Sequence, residues 1–341
     1  MFRLFEGATA DEVWLKLAAA FRDKSLPLQE SRAGDTREIL HAAISISNPR
    51  RRWVVSRVPV LSPAFALAET VWLLAGRNDA AFLNYFNSKL PMFAGRGECY
   101  HGAYGYRLRS HLGVDQLNRA YDALSRNPAS RQVVLQLWDA RSDLPTERGL
   151  PIADDIPCNV LAMLKVRRER LEWTQVIRSN DLFLGVPHNF VQFTVLQEVL
   201  AGWLGMEAGT FNVVSDSLHV YERDLDAIAA AKEVVVANDE ESLALPKDES
   251  ERAIQALASA VDEIRTGRSQ GREVAHLVGA TGLPGPFANV LRVLAAESER
   301  RCGRPDNAER VMSDCTNATY GQLWKRWSQR IAGARSDTAT G

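Results

Sequence analysis

Through the first two thirds of the chain, apolar residues alternate with polar ones or run together in short blocks. Through the last third they recur every three or four positions. The first pattern suits strands and buried helices, the second amphipathic helices. The opening "MFRLFEGATADEVWLKLAAAFRD" reads as an amphipathic helix, with Thr9 and Glu12 spaced for a capping box. "AFALAETVWLLA", residues 64–75, predicts a buried helix, and "VVLQLW", 133–138, a strand. The following "DARSDLPTERGLPIADD" is rich in Pro, Asp and Gly and reads as a surface loop. "VLAMLKV" and "LEWTQVI" flank the charged turn "RRER" and predict a hairpin. "FVQFTVLQEVLAGWLG", 190–205, is apolar around most of its circumference, as a central buried helix is. "TFNVVSDSLHVY" reads as a further strand. Beyond residue 226, "DESERAIQALASAVDEIRTG", "FANVLRVLAAESERR" and "NAERVMSDCTNATYGQLWKRWSQRI" each read as helix, and residues 334–341 as a disordered tail. Mixed elements followed by a helical C-terminal third predict an α+β fold.

Composition narrows the partners. The 341 residues are 46% hydrophobic and 24% charged, with a formal net charge of −1. Such a chain buries a substantial core and presents no overall field for nucleic acid or an anionic membrane. Anion binding therefore falls to a few local arginines. No apolar run approaches the roughly 20 residues of a membrane-spanning helix, and the start lacks the apolar core of a secretory leader. The cytoplasm is the expected location. The cysteines, Cys99, Cys158, Cys302 and Cys315, form no CxxC pair and no cluster with His at zinc-ligand spacing, so no metal site is expected. Cys158, in Pro157-Cys158-Asn159, is open to two readings, a core filler or a reactive thiolate.

Three features resist a purely structural reading. Glu69 stands alone in an apolar run, where a carboxylate is costly unless paired or protonated. "VIRSNDLFLGVPHNF", 176–190, crowds Arg178, Ser179, Asn180, Asp181, Gly185 and Asn189 between two apolar elements, as a ligand site would. An ordinary loop with Asn189 as a helix cap is the alternative. In "SDSLHVYERD", His219 and Tyr221 are two apart and share a face if the segment is a strand.

Taken in order, these stretches resemble the thymidylate synthase family, which includes the folate-dependent pyrimidine hydroxymethylases. "RSNDLFLGVPHN…SDSLHVYERD" is similar to the family's Arg-Ser-x-Asp…Leu-Gly-x-Pro-x-Asn…Asp-x-His-x-Tyr, and Pro157-Cys158 lies about 20 residues upstream of the arginine. "AETVWLLAG" resembles the helix of the catalytic glutamate, and "HGAYGYRLR" the Gly-x-x-Tyr-Gly motif. The resemblance covers roughly residues 30–226. It implies a thymidylate synthase-like core over 1–226, a mixed sheet packed with helices. Residues 227–333 then form a divergent helical region on that core, and 334–341 the tail.

The resemblance also implies roles. Cys158 adds to C6 of a pyrimidine ring, which turns C5 into a nucleophile. Glu69 organises proton transfers, Tyr104 assists removal of the C5 proton, and Arg178 favours the thiolate. Asn159, beside the nucleophile, belongs to the catalytic set. Arg32, Arg178 and Ser179 hold the phosphate, with Arg131 donated by the partner of a homodimer. Asn189 reads the base edge, and its amide suits uracil. His219 and Tyr221 hold the sugar hydroxyl. Asp181 and Gly185 meet the co-substrate, 5,10-methylenetetrahydrofolate. The partners expected are thus a pyrimidine nucleoside monophosphate, folate and a second copy, with no membrane or nucleic acid.

The leading expectation is methylation of dUMP to dTMP, a step of nucleotide biosynthesis. The alternative is a 5-hydroxymethylase of the same fold acting on dUMP, UMP or a cytosine nucleotide. A silent nucleotide- or RNA-binding homologue is the reading from another class. Departures from the family bear on the choice. Asn159 stands where synthases carry histidine, and Gln132 where a second arginine is usual. No tryptophan lies between Phe86 and Tyr104, and the terminus is not apolar.

Overall fold

A computed structural model of the chain describes residues 1–23, 25–31, 33–237, 241–267 and 278–339, with side chains to residue 333. Seven strands form one mixed sheet: β1 Arg3–Gly7, β2 Leu28–Gln29, β3 Thr36–Ile46, β4 Val134–Gln136, β5 Asn159–Arg167, β6 Arg170–Asp181 and β7 Glu207–Tyr221. Their order is β1-β3-β7-β6-β5-β4, with β2 on β3. The β1–β3 and β6–β7 pairs are parallel and the others antiparallel. Helices of the C-terminal third pack with the central ones on a single core, and the α+β class expected from the pattern is what the chain adopts.

The predicted hairpin is β5–β6. Its turn is only Arg168-Glu169, both left-handed at φ 52 and 59, the geometry of a type I′ turn made without glycine. At the other end of the sheet, register pairs Leu40 with Ser217 and Ala42 with Ser215. His41, at φ 59, and Asp216 are left facing one another, Nδ1 to Oδ1 3.0 Å. One residue on each strand is left unpaired without any shift of register, and the buried face of β7 reverses across this break. Phe211, Val213 and Ser215 are buried before it, and Leu218 and Val220 after it. His219 and Tyr221 thereby leave the face that strict alternation would give them, and lie ring against ring at 5.6 Å.

The central helices explain the apolar runs. Pro63–Leu74 is capped by Ser62, which accepts from Phe65 N–H at 3.2 Å, and ends before Gly76 at φ 68. Eleven of its twelve residues are buried, and Glu69 is the exception. Gly185–Trp203 starts five residues earlier than its pattern predicts, because Asp181 Oδ1 accepts from the N–H groups of Phe183 (2.7 Å) and Leu184 (3.0 Å) and turns the chain into the helix. Gly105 meets the Pro63–Leu74 helix so closely that a Cβ there would lie 2.3 Å from Leu73 O. Gly105→Ala is therefore expected to lower stability by about 1–3 kcal/mol, read as a drop in the urea midpoint at unchanged slope.

Other expectations need correction. The first 23 residues are not one helix: Arg3–Gly7 is a strand, held by parallel pairing to β3, and the helix is Ala10–Ala20. Thr9 caps it by accepting from Glu12 N–H, while Glu12 reaches back to Ala8 N–H rather than to Thr9. The last predicted helix is two, Pro305–Ser313 and Ala318–Ala339, separated where Asn317 Oδ1 accepts from Tyr320 N–H at 2.8 Å.

Helices Lys247–Arg265 and Gly285–Arg301 pack behind Pro63–Leu74. Arg77 joins them to the core by donating to both Asp79 and Asp262, and Arg330 donates to Val60 O at 2.8 Å. Among the described residues, no helix is long and apolar enough to cross a membrane and no cluster of His, Cys, Asp and Glu could hold a metal ion.

Candidate active site

Cys158 directly precedes β5, and its carbonyl accepts from Arg178 N–H on β6 at 2.9 Å. It is a free thiol in a half-buried residue. Burial pushes the thiol up from its ordinary range, Arg178 pulls it down, and the charges of Asp155 and Asp181 push it up again. The balance leaves it protonated at neutral pH. Arg178 does not point its donors at the sulfur. It donates from Nε to Pro157 O (2.9 Å) and from Nη2 to Ile156 O (3.1 Å), and its guanidinium lies 5.3 Å from the ring of Trp138. Its first task is to clamp the segment that carries the cysteine.

Behind Cys158 runs a relay of amides whose orientation can be deduced. An indole N–H can only donate, so Trp173 Nε1 fixes Gln175 Oε1 toward itself at 2.9 Å. Gln175 Nε2 then donates to Asn159 Oδ1 at 3.0 Å. Asn159 Nδ2 faces Asn189 Oδ1 at 3.4 Å, and Asn189 Nδ2 donates to Asn180 Oδ1 at 3.2 Å. Asn159 is wholly buried and presents its amide to Asn189. One lone pair of Asn189 Oδ1 and one N–H remain beyond these bonds, the complement of a uracil N3–H and O4.

Tyr104 bonds Asn159 through its hydroxyl, and its ring packs on Phe193 at 5.6 Å. Burial, then the neighbouring Cys158 sulfur, raise that hydroxyl well above the usual tyrosine range. Glu69 faces the same region from its helix. His188 Nδ1 stands 2.5 Å from Glu69 Oε2, off the line of a well-formed hydrogen bond, and both atoms are buried without another partner among the described residues. Glu69 and Tyr104 also line a cavity of about 150 Å³ with Asp155, Gln192, Trp72 and Leu83.

On the other side, Asp181 pairs in register with His219 across β6–β7. Burial raises its carboxyl, while the Leu184 and Phe183 N–H groups and the His219 and Arg57 charges oppose the rise. Ser179 pairs with Ser217 and is half-buried. Space for a Cβ at Gly185 opens onto Asp181, Asn180 and Asn189 at 3.7–3.8 Å.

The structure thus brings together Cys158, Asn159, Tyr104, Glu69, Arg178, Ser179, Asn189, Asp181, Gly185, His219 and Tyr221. It leaves Arg131 and Gln132 exposed at the start of β4. Arg32 lies outside the described residues. The sequence reading assigned nothing to His188, Asp155, Gln175 or Trp138. His188 directly precedes Asn189 within a stretch already singled out, while Asp155 ends the stretch that reads as a surface loop, three residues before Cys158.

Comparison with known proteins bears on the family. The family profile described as Thymidylate synthase matches residues 47–264, which begins later and ends later than the motifs suggest. A Pseudomonas phage M6 protein named deoxyuridylate hydroxymethyltransferase is 38% identical over 170 residues, 49% of this chain and 47% of that protein. A Bacillus phage SP01 protein of the same name is 34% identical over 202 residues, 56% and 52% of the two chains. The chain thus spans about half the length of these phage relatives. A Methanothermobacter marburgensis protein named "Putative thymidylate synthase" is 31% identical over 225 residues, 66% of this chain and 94% of that one. The profile covers well over half of the chain, and the chain belongs to the thymidylate synthase family.

Proposed function

We propose that the chain transfers a one-carbon unit to C5 of dUMP and that water completes the step, giving a 5-hydroxymethyl nucleotide. The observation that carries the transfer is the cluster in which Cys158, the Tyr104 hydroxyl and the Asn159–Asn189 pair lie side by side. In this reading Cys158 Sγ bonds to C6 once its proton is lost, and the electrons move to C5. Asn189 holds the base edge, while Arg178 and Ser179 meet the phosphate. Glu69 and Tyr104 manage protons at O4 and C5, and His219 with Tyr221 holds the sugar. The folate supplies a one-carbon unit at the oxidation level of formaldehyde, against Asp181 and Gly185. A second copy of the chain supplies Arg131, and the reaction takes place in the cytoplasm. The exposed position of Arg131 and the uncovered apolar residues Val134, Met163 and Leu40 on the sheet support that pairing.

For the outcome, the names of both phage relatives favour hydroxymethylation over the methylation expected from the motifs. Methylation is the second reading, favoured by the archaeal relative that the chain matches nearly from end to end. The test is incubation with dUMP and methylenetetrahydrofolate, with product mass and dihydrofolate absorbance followed together. A hydroxymethyl mass without dihydrofolate supports the proposal, and a methyl mass with dihydrofolate supports the second reading. Absence of turnover with all four pyrimidine monophosphates sinks both and leaves a binding homologue.

Base choice has its own test. Asn189→Asp removes the N–H that serves O4 and sets a carboxylate against Asn180 Oδ1. The ratio of kcat/KM for dUMP over dCMP is expected to fall about 10²-fold or more, a loss of the size that mispaired buried polar groups produce.

A further inference from the structure

The cavity beside Glu69 holds a carboxylate that none of the roles above uses. At about 150 Å³ it has room for roughly five waters at about 30 Å³ each, and is smaller than the ~300 Å³ at which drug-sized ligands are accommodated. Trp72, Leu83 and Leu90 form its apolar walls, and Glu69, Tyr104 and Asp155 its polar one. Asp155 Oδ2 accepts from Gly102 N–H at 2.9 Å, and Oδ1 has no partner among the described residues. Glu69 differs, since its Oε2 already faces His188. Burial pushes the Asp155 carboxyl up, which makes its carboxylate a stronger base than an exposed one, and its charge is felt at both Cys158 and Tyr104.

We propose that this cavity supplies the water that ends the reaction, and that Asp155 orients that water and takes its proton. The proposal rests on the hydroxymethylation reading. The water oxygen bonds to the exocyclic methylene carbon on C5, the methylene π electrons pass into the C4 enolate, and one water proton passes to Asp155. The enolate then restores the C5–C6 double bond as the C6–S bond breaks and Cys158 leaves as thiolate, to be reprotonated from Asp155. No oxidant or reductant is consumed.

The experiment compares two readouts in the whole chain given 5-tritiated dUMP and methylenetetrahydrofolate. Tritium release reports loss of the C5 proton, and the hydroxymethyl product reports addition of water. In the unaltered protein the two accumulate one for one. In Asp155→Asn the ratio of product to tritium is expected to fall about 10²-fold, the lower end of what a proton acceptor contributes. The stalled nucleotide is then retained as a covalent adduct on Cys158, visible in the intact protein mass. If Asp155→Asn releases no tritium, Gly102→Ala is read in the same way. It keeps the carboxylate but places a methyl 2.8 Å from Oδ2 and displaces it. A ratio that stays within a factor of two of the unaltered protein overturns the role of Asp155 and leaves hydroxymethylation standing. A methyl product from the unaltered protein overturns both.

Discussion

Cys158→Ser is expected to lower dUMP turnover by roughly 10⁴-fold or more, the scale on which loss of a covalent nucleophile acts. An alkoxide is far harder to form than a thiolate, and the site makes even the thiolate costly. Burial, with Asp155 and Asp181 nearby, holds the thiol above its ordinary range against the pull of Arg178. Two consequences separate this from a general loss of structure. The serine protein keeps its thermal midpoint, because the change is nearly isosteric. In the unaltered protein, alkylation of Cys158 by iodoacetamide follows a pH profile displaced to the alkaline side of an exposed cysteine. Occupation of the phosphate site by inorganic phosphate slows it further, since an anion there offsets Arg178. A serine variant with more than a tenth of the original turnover would refute the covalent role. So would a cysteine that alkylates readily at neutral pH refute the protonated resting state.

Asp143→Asn is expected to cost about 3–5 kcal/mol of folding stability, the penalty for breaking a buried ion pair from one side. Arg107 and Asp143 both have wholly buried side chains and meet as a two-toothed fork, Nη1 to Oδ2 at 2.7 Å and Nη2 to Oδ1 at 2.8 Å. Asp139 N–H and His101 Nε2 also bond the carboxylate, both at 2.7 Å, and Arg107 donates onward to His101 O and Leu137 O. Burial alone would raise the Asp143 carboxyl, but the Arg107 fork, Asp139 N–H and His101 together hold it below the usual range. Because the folded value is depressed, this stability is fully present above the unfolded carboxylate value near pH 4. It is lost as pH falls through the folded value. Urea midpoints between pH 7 and pH 3 should therefore fall less steeply for Asp143→Asn than for the unaltered protein. Parallel curves would show that the fork does not contribute. The same fork ties the segment before Tyr104 to the end of β4, so the variant should also lose turnover before it unfolds.

Membership of the family was legible from residues that have little other reason to stand where they do. Glu69 is the only acid in an apolar run, and Asp181, Gly185 and Asn189 crowd a short span between buried elements. Periodicity likewise located the hairpin and helices of the C-terminal third, because burial of one face leaves a repeat in the chain itself, while the Glu69 helix showed as an unbroken apolar run. Where local pattern and local partners agree, as where Thr9 accepts from Glu12 N–H at the start of its helix, sequence and fold coincide.

What escaped it depends on partners distant in sequence. Arg3–Gly7 is a strand only because β3 lies beside it, and nothing local opposes a helix there. His188 reads as one more residue before Asn189 until the fold sets Glu69, 119 positions earlier, within 2.5 Å. The break in the ladder at His41 and Asp216 turns His219 and Tyr221 away from the face of Phe211 and Val213, a reversal that no alternation rule anticipates. The state of Cys158 follows the same division. The sequence by itself determined that a cysteine follows Pro157 with an arginine twenty residues on. Only the tertiary structure decided that Arg178 donates to Ile156 and Pro157, and that burial, with Asp155 and Asp181 nearby, pushes the thiol up against the pull of Arg178, because desolvation is set by everything that surrounds a group.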